Sequence, residues 1–227
     1  MLKIGHRGAP RVAPANTMKS FQAAHALGCD WVECDCRPSS DGIIVLAHDE
    51  QLTDIAGSAY RISDYTADKL HRLDLGSGEG VPTLEELVAW AAGRVGVMAD
   101  VKCSGYEREI GAALQPLPPE KKIVPGADEA GRRQFRALYP DLPISLTVSV
   151  HGEPGMAGKW ETVDTDAVTL EYPLVTPERI RQMHARRIKV YAWTVDNPDT
   201  MQKLAKMGVD GLISNRADEL ERIKAEG

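Results

Sequence analysis

Residues 2–36 read LKIGHRGAPRVAPANTMKSFQAAHALGCDWVECDC, and this stretch decides the fold class. Leu2–His6 has the apolar character of a short buried strand. Thr17–Leu27 predicts a helix: Asn16 or Thr17 can cap its N-terminus, Met18 and Phe21 share a face, and Gly28 stands just past its end. Asp30–Cys36 is again strand-like. A strand, a helix of about ten residues and a second strand make a βαβ unit, which implies parallel pairing.

The same alternation continues outward from this unit. Strands are predicted at Ile43–His48, Gly96–Lys102, Lys121–Val124, Ile144–Val148, Ala167–Glu171, Ile188–Trp193 and Val209–Ile213. Helices are predicted from the Thr83–Glu86 capping box through Ala92, and at Tyr106–Leu114, Pro177–Arg187, Pro198–Met207 and Asp218–Lys224. The expected fold is a TIM-type (β/α)8 barrel, formed by residues 1–227 as a single domain. The strand count exceeds eight by one, and Arg37–Gly42 is too short for a crossover helix. Either a helix is missing there or a flanking strand is not a regular barrel strand. The Asp41-Gly42 turn signal favours the second option. Residues 53–80 are the least periodic part and read either as a flap over a site or as a long connection.

The 227 residues carry a formal net charge of −6, which gives no support to a nucleic-acid or anionic-membrane partner. Cys29, Cys34, Cys36 and Cys103 form no C-x-x-C pair and read as buried free thiols. The N-terminus lacks the apolar region of a signal peptide, and no apolar run approaches the ~20 residues that span a bilayer. A cytoplasmic location is the expectation. Nothing in the sequence speaks to oligomeric state.

Polar residues gather where predicted strands end: His6-Arg7, Glu33-Cys34-Asp35, His48-Asp49 and Asp100-Val101-Lys102. In parallel barrels those ends share one mouth. Residues two apart on a strand share a face, so Glu33 and Asp35 project together, as do Asp100 and Lys102. Taken singly, each of these is ordinary: an E-x-D is usually solvated, and a histidine after a strand is usually structural. Together they put three carboxylates and an ammonium into one cavity, which is costly unless compensated. A hard divalent cation held by oxygens, Mg²⁺ or Ca²⁺, is the natural compensation. Gly8 is expected to serve a turn with φ > 0 or a close backbone approach. His25, His71, His151 and His184 have no such company.

These residues resemble the glycerophosphodiester phosphodiesterase family of the PLC-like phosphodiesterase superfamily. The family pattern of HRG, P-E-N-T, E-x-D, D-G and H-D is matched by His6-Arg7-Gly8, Pro14-Ala15-Asn16-Thr17, Glu33-Cys34-Asp35, Asp41-Gly42 and His48-Asp49. Its P-T-L-E-E matches Pro82–Glu86, its E-x-K corresponds to Asp100-Val101-Lys102, and its W-T-V-N to Trp193-Thr194-Val195-Asp196. Its V-D-G-I-I-T-D is echoed by Val209–Asn215. The resemblance implies metal-dependent hydrolysis of glycerophosphodiesters to glycerol 3-phosphate and an alcohol, with a small-molecule substrate. It implies Glu33, Asp35 and Asp100 as metal ligands and His6 and His48 as the acid–base pair, with either histidine in either role. Arg7 and Lys102 would hold the phosphate, and Trp193 would pack against the substrate. Three departures stand out: Ala15 for a glutamate, Asp100 for a glutamate, and Ser214-Asn215 for Thr-Asp. Two neighbouring readings are a lysophospholipase D-like phosphodiesterase, needing an apolar groove near Tyr60 or Trp160, and a non-catalytic phosphate-ester binding homologue. In an aldolase reading Lys102 would form a Schiff base, but carboxylates beside a lysine favour its charged form.

Overall fold

A computed structural model of the chain describes residues 1–151 and 163–223. Its strands are β1 Leu2–Gly5, β2 Trp31–Pro38, β3 Ile44–Leu46, β4 Gln51–Thr53, β5 Ala59–Arg61, β6 Gly96–Val101, β7 Lys122–Ile123, β8 Ser145–Val148, β9 Ala167–Glu171, β10 Lys189–Trp193 and β11 Gly211–Ser214. Its α-helices are α1 Met18–Ala26, α2 Ala67–His71, α3 Leu84–Ala91, α4 Glu107–Ala113, α5 Glu129–Leu138, α6 Pro177–Ala185, α7 Pro198–Met207 and α8 Ala217–Leu220. Eight of the strands run β7-β6-β2-β1-β11-β10-β9-β8, each hydrogen-bonded to its neighbours in parallel. A parallel bridge between Val124 and Ile144 brings the two ends of that order together, giving a (β/α)8 barrel.

The surplus strand is β3. It pairs antiparallel with the upper part of β2, Cys36 opposite Leu46 and Pro38 opposite Ile44, through a tight turn in which Gly42 has φ 79°. No helix is missing; a hairpin folds back over the rim. His48 therefore reaches the mouth on a returning strand, not at the end of a parallel one as the sequence suggests. The backbone N–H of Ala47 donates to the carbonyl of Asp35 at 2.9 Å, which ties that returning strand to the level of Asp35.

Residues 53–80 are a long connection with structure of its own, continuous with Gln51 and Leu52, and line no part of the cavity described below. They form the β4–β5 hairpin and α2, which share a small core of Val45, Ala47, Ile62, Ala67, Leu70 and Val81. Helix α5 has no counterpart in the sequence reading, which assigns nothing between Val124 and Ile144. Its segment, EAGRRQFRAL, buries only Gly131 and Phe135, so the apolar stripe is too thin to read. The cap is present, however: the Asp128 side chain accepts from the N–H of Gly131. The last helix is shorter than expected, and Lys224 and Trp160 lie outside the described residues.

Strand alternation sorts the core into two layers. Outward residues Val32, Cys34, Cys36, Val97, Ala99, Val190 and Leu212 meet helix residues such as Phe21, Leu87, Ile110 and Met201. Inward residues Ile4, Trp31, Met98, Ile123, Ala167, Tyr191 and Ile213 plug the lower barrel. The plug matters for function because it closes the floor: one step higher on the same strands stand His6, Glu33, Asp100, Thr169 and Asn215, with Pro125 and Trp193 the two apolar members. The cysteines are free, with Cys29, Cys34 and Cys36 buried and Cys103 partly so. No helix among the described residues is long and apolar enough to cross a membrane.

Candidate active site

The polar inward residues surround a cavity of about 220 Å³ at the C-terminal mouth. Its walls include His6, Arg7, Glu33, His48, Asp100, Lys102 and Trp193. Seven of the eight residues singled out in the sequence thus line one space. The eighth, Asp35, lies directly behind the wall, its side chain 1% exposed.

Glu33 and Asp35 share the inward face of β2, and Asp100 sits opposite Asp35 on β6. One carboxylate oxygen from each of the three lies within 4.8 Å of the others. Lys102 reaches into this group, its Nζ 2.9 Å from Asp35 Oδ1 and 2.6 Å from Asp100 Oδ2. The Arg7 Nε lies 3.0 Å from Asp35 Oδ2. Asp35 is held again from behind: Asn16 Nδ2 donates to its Oδ2 at 2.8 Å, while its own N–H donates to Asn16 Oδ1 at 3.2 Å.

The backbone is bent to make these contacts. Arg7 has φ 55° and Asn16 φ 59°, a left-handed conformation that costs energy in residues other than glycine. Hydrogen bonds hold it there. The N–H of Arg7 donates to Glu33 Oε2 at 2.8 Å, and its carbonyl accepts from the Asn16 N–H at 3.1 Å and from Ser20 Oγ at 2.9 Å. Gly8, at φ 85°, packs so closely on α1 that an added Cβ would fall 2.5 Å from Ser20. Both readings of that glycine hold.

Electrostatics follow from burial and neighbours. Burial, with the charges of Asp35 and Asp100, pushes Glu33 well above the usual carboxylate range. Burial also raises Asp100, against the opposing pull of Lys102. For Asp35 burial pushes the same way, but Lys102, Arg7 and Asn16 outweigh it and hold the carboxyl low. Burial would lower Lys102, yet Asp100 and Asp35 win and drive it upward. His6 is lowered by burial, which prevails over its hydrogen bond to Asn215.

These residues fit a divalent cation. Asp100 Oδ1 is buried without a hydrogen-bond partner. When all three carboxylates are ionised they outnumber Arg7 and Lys102 by one charge, and the upward push on Glu33 and Asp100 is the cost of holding them so without a further cation. Oxygen-only donors suit a hard ion. Gly126 frames the same atom: with φ 82°, an added Cβ would stand 1.9 Å from Asp100 Oδ1. Gly126→Ala is therefore expected to displace the Asp100 carboxylate and weaken divalent-cation affinity about 10–100-fold, the usual range for disturbing a ligand's support. Calorimetric titration of the metal-stripped variant measures this; unchanged affinity would rule Asp100 out as a ligand.

The two histidines are held differently. His6 Nδ1 is 2.8 Å from Asn215 Oδ1, and its Nε2 is 3.9 Å from Glu33 Oε2. His48 Nδ1 is 2.8 Å from Asp49 Oδ1, and its carbonyl accepts from Arg37 Nε at 2.8 Å. The lower wall is apolar on one side, with Met98, Pro125, Trp193 and Ile213, and carries the hydroxyl residues Thr147, Thr169 and Thr194. Trp193 is fixed by its Nε1–H, which donates to the Thr169 carbonyl at 3.2 Å.

Sequence reasoning did not single out Asn16, Asp196, Asn215, Thr147 or Thr169 as site residues. The first three stand inside quoted motifs, and the two threonines occupy inward positions of β8 and β9, the most weakly patterned strands. Ala15 is exposed beside the inward-turned Asn16. Tyr60 does not reach the cavity; its hydroxyl donates to Asp54 at 3.1 Å and its ring packs edge-on against Tyr65.

The profile of the Glycerophosphoryl diester phosphodiesterase family matches residues 6–219. A probable glycerophosphodiester phosphodiesterase 2 of Mycobacterium tuberculosis is 31% identical over 240 residues, covering 98% of this chain and 90% of its own. The structure of an Oleispira antarctica phosphodiesterase in complex with the product sn-glycerol-3-phosphate superposes with a TM-score of 0.85 at 26% identity, covering 98% of this chain and 96% of that one. A crystal structure from Galdieria sulphuraria, 24% identical, has the same fold with a TM-score of 0.85, covering 97% of this chain and 96% of its own.

Proposed function

Because the chain belongs to the glycerophosphoryl diester phosphodiesterase family, we propose that it hydrolyses small glycerophosphodiesters to glycerol 3-phosphate and an alcohol. In this reading Glu33, Asp35 and Asp100 hold a divalent cation and His6 and His48 exchange the protons. One observation carries it: two histidines, two cations and two of the three clustered carboxylates line a single cavity.

The bound cation would supply charge for the phosphoryl and hydroxyl oxygens of the substrate. The chain's own groups do the rest. An ammonium has three N–H donors. Lys102 donates to Asp100, stands in ion-pair contact with Asp35, and has N–H donors left for a phosphoryl oxygen. Arg7 sets its Nε side in ion-pair contact with Asp35 and offers its terminal nitrogens to the same anion. His6, whose Nδ1 faces an amide oxygen, presents Nε2 as a proton acceptor and is the base. His48, paired with the Asp49 carboxylate, can carry a proton whose charge Asp49 balances, and is the acid. The nucleophile that His6 deprotonates is water or the neighbouring glycerol hydroxyl.

The size and walls of the cavity favour a glycerol-sized group. Its apolar side suits the glycerol carbons, with Trp193 as the flat surface. The test is a panel of glycerophosphocholine, glycerophosphoethanolamine and a long-chain lysophosphatidylcholine with Mg²⁺ or Ca²⁺ present, read as glycerol 3-phosphate or lysophosphatidate released. The two small diesters are expected to be the better substrates. Turnover of the lysolipid alone would overturn the reading in favour of a lysophospholipase D-like enzyme.

A further inference from the structure

His6 is the first member of a chain of hydrogen bonds that leads away from the cavity. Its Nδ1 is 2.8 Å from Asn215 Oδ1, and Asn215 Nδ2 is 2.8 Å from Asp196 Oδ2. The second Asp196 oxygen, Oδ1, accepts from the Asn215 backbone N–H at 2.9 Å and from Ser214 Oγ at 2.9 Å. The Ser214 hydroxyl oxygen in turn accepts from the Arg216 N–H at 2.9 Å, so its hydrogen is free for Asp196. Ser214 is fully buried. Every donor and acceptor on this path has one consistent direction.

We propose that Asp196, acting through Asn215, is a positioning pair that fixes which nitrogen of His6 carries the hydrogen. Donor and acceptor capacity fixes the direction of each bond. A carboxylate only accepts, so the Asn215 atom facing Asp196 is the amide nitrogen. The amide oxygen then faces His6, and because that oxygen only accepts, His6 Nδ1 carries the hydrogen. In the neutral ring Nε2 is left with its lone pair directed at the cavity. The inference rests on the reading of His6 as the base, since only a base needs that lone pair. Both positions also differ from the family pattern quoted above, in opposite senses: Asp for Asn at 196, Asn for Asp at 215. The contact keeps one carboxylate and one amide with their places exchanged.

The exchange supplies the test. In Asp196→Asn the two donors on Oδ1 retain the amide oxygen there, so the new NH₂ meets Asn215 Nδ2, donor against donor. Asn215 relieves this by turning its amide over, which presents an NH₂ to His6. His6 Nδ1 must then accept, and the hydrogen moves to Nε2. Adding Asn215→Asp restores an acceptor between the two, which can take the NH₂ of the substituted side chain at position 196 and the His6 Nδ1–H together.

The experiment compares wild type, D196N and D196N/N215D in the metal-loaded enzyme with glycerophosphocholine, alongside ¹⁵N spectra of the His6 ring and a thermal melt. D196N is expected to lower kcat by about 10²–10⁴-fold, the contribution of one general base, with KM and melting temperature little changed. The spectra should show the hydrogen on Nδ1 in wild type and in the double variant, and on Nε2 in D196N. The double variant should recover most of kcat. A D196N protein that keeps the hydrogen on Nδ1, or a double variant whose ring and turnover are no better restored than the single, overturns the proposal. If the ring reverses and returns as stated but turnover does not follow it, the positioning pair stands and the assignment of His6 as the base falls.

Discussion

His6→Ala is expected to lower kcat about 10²–10⁴-fold, the range supplied by one general acid or base, while the barrel stays folded. The fold survives because His6 is not a packing residue. It follows β1, and the plug beneath it, Ile4, Tyr191 and Ile213 among others, is complete without it. The partner left behind, Asn215 Oδ1, faces the space the ring vacates, where water can replace the lost donor. His48→Ala should cost a similar factor for natural diesters. The returning strand that carries it is anchored by the β2–β3 ladder and by Arg37 on the His48 carbonyl, neither of which needs the imidazole. The two variants separate on the leaving group. An alkoxide such as that of choline must be protonated, whereas p-nitrophenolate leaves without help. If His48 is the acid, His48→Ala spares a p-nitrophenyl diester, and His6→Ala damages both substrates. Steady-state kinetics on the two substrates decides the matter. The opposite pattern would exchange the two roles, and near-normal turnover in either variant would remove that histidine from the chemistry.

Removal of divalent metal is the second large effect expected. Glu33, Asp35 and Asp100 face Arg7 and Lys102, so once all three are ionised the metal-free pocket is one negative charge in excess. A phosphodiester brings one more. Like charges brought together in a cavity walled by protein repel strongly, because the screening of bulk water is lost. A divalent cation reverses the balance and makes the pocket complementary to the anion. Treatment with a chelator, followed by its removal, should reduce turnover to background. Adding back Mg²⁺ or Ca²⁺ should restore it, with the melting temperature rising as the ion binds. Full activity in a preparation shown by elemental analysis to hold no divalent metal would contradict the role given to the three carboxylates.

The barrel was legible in the sequence because its signals are local. Strands of four to eight residues, capped helices and Gly28 mark the alternation, and every predicted strand is present. What was not legible depends on tertiary context. For strand β3 the Asp41-Gly42 turn already points to an irregular strand at this place, and the antiparallel pairing with β2 shows which of the two flanking strands leaves the ring. Helix α5 is held by Phe135 and by Arg136 paired to Asp166, and one large buried apolar residue among arginines leaves no apolar stripe to see. The site divides in the same way. Glu33, Asp35, Asp100 and Lys102 declare themselves through two-residue spacing on strands. Asn16 does not, because its polar side chain before a helix reads as a cap; that work falls to Thr17, and Asn16 turns inward to Asp35. Asn215 and Asp196 meet across β10 and β11, a contact that no spacing within one segment encodes.

The proposed chemistry requires a cation held where the three carboxylates converge. Crystals of the metal-stripped protein soaked in Mn²⁺ and measured for anomalous scattering test this directly. The expected map has one strong peak within coordination distance of oxygens from Glu33, Asp35 and Asp100. A map with no peak there, and with the Lys102 ammonium still bridging Asp35 and Asp100 in the presence of the ion, would contradict it.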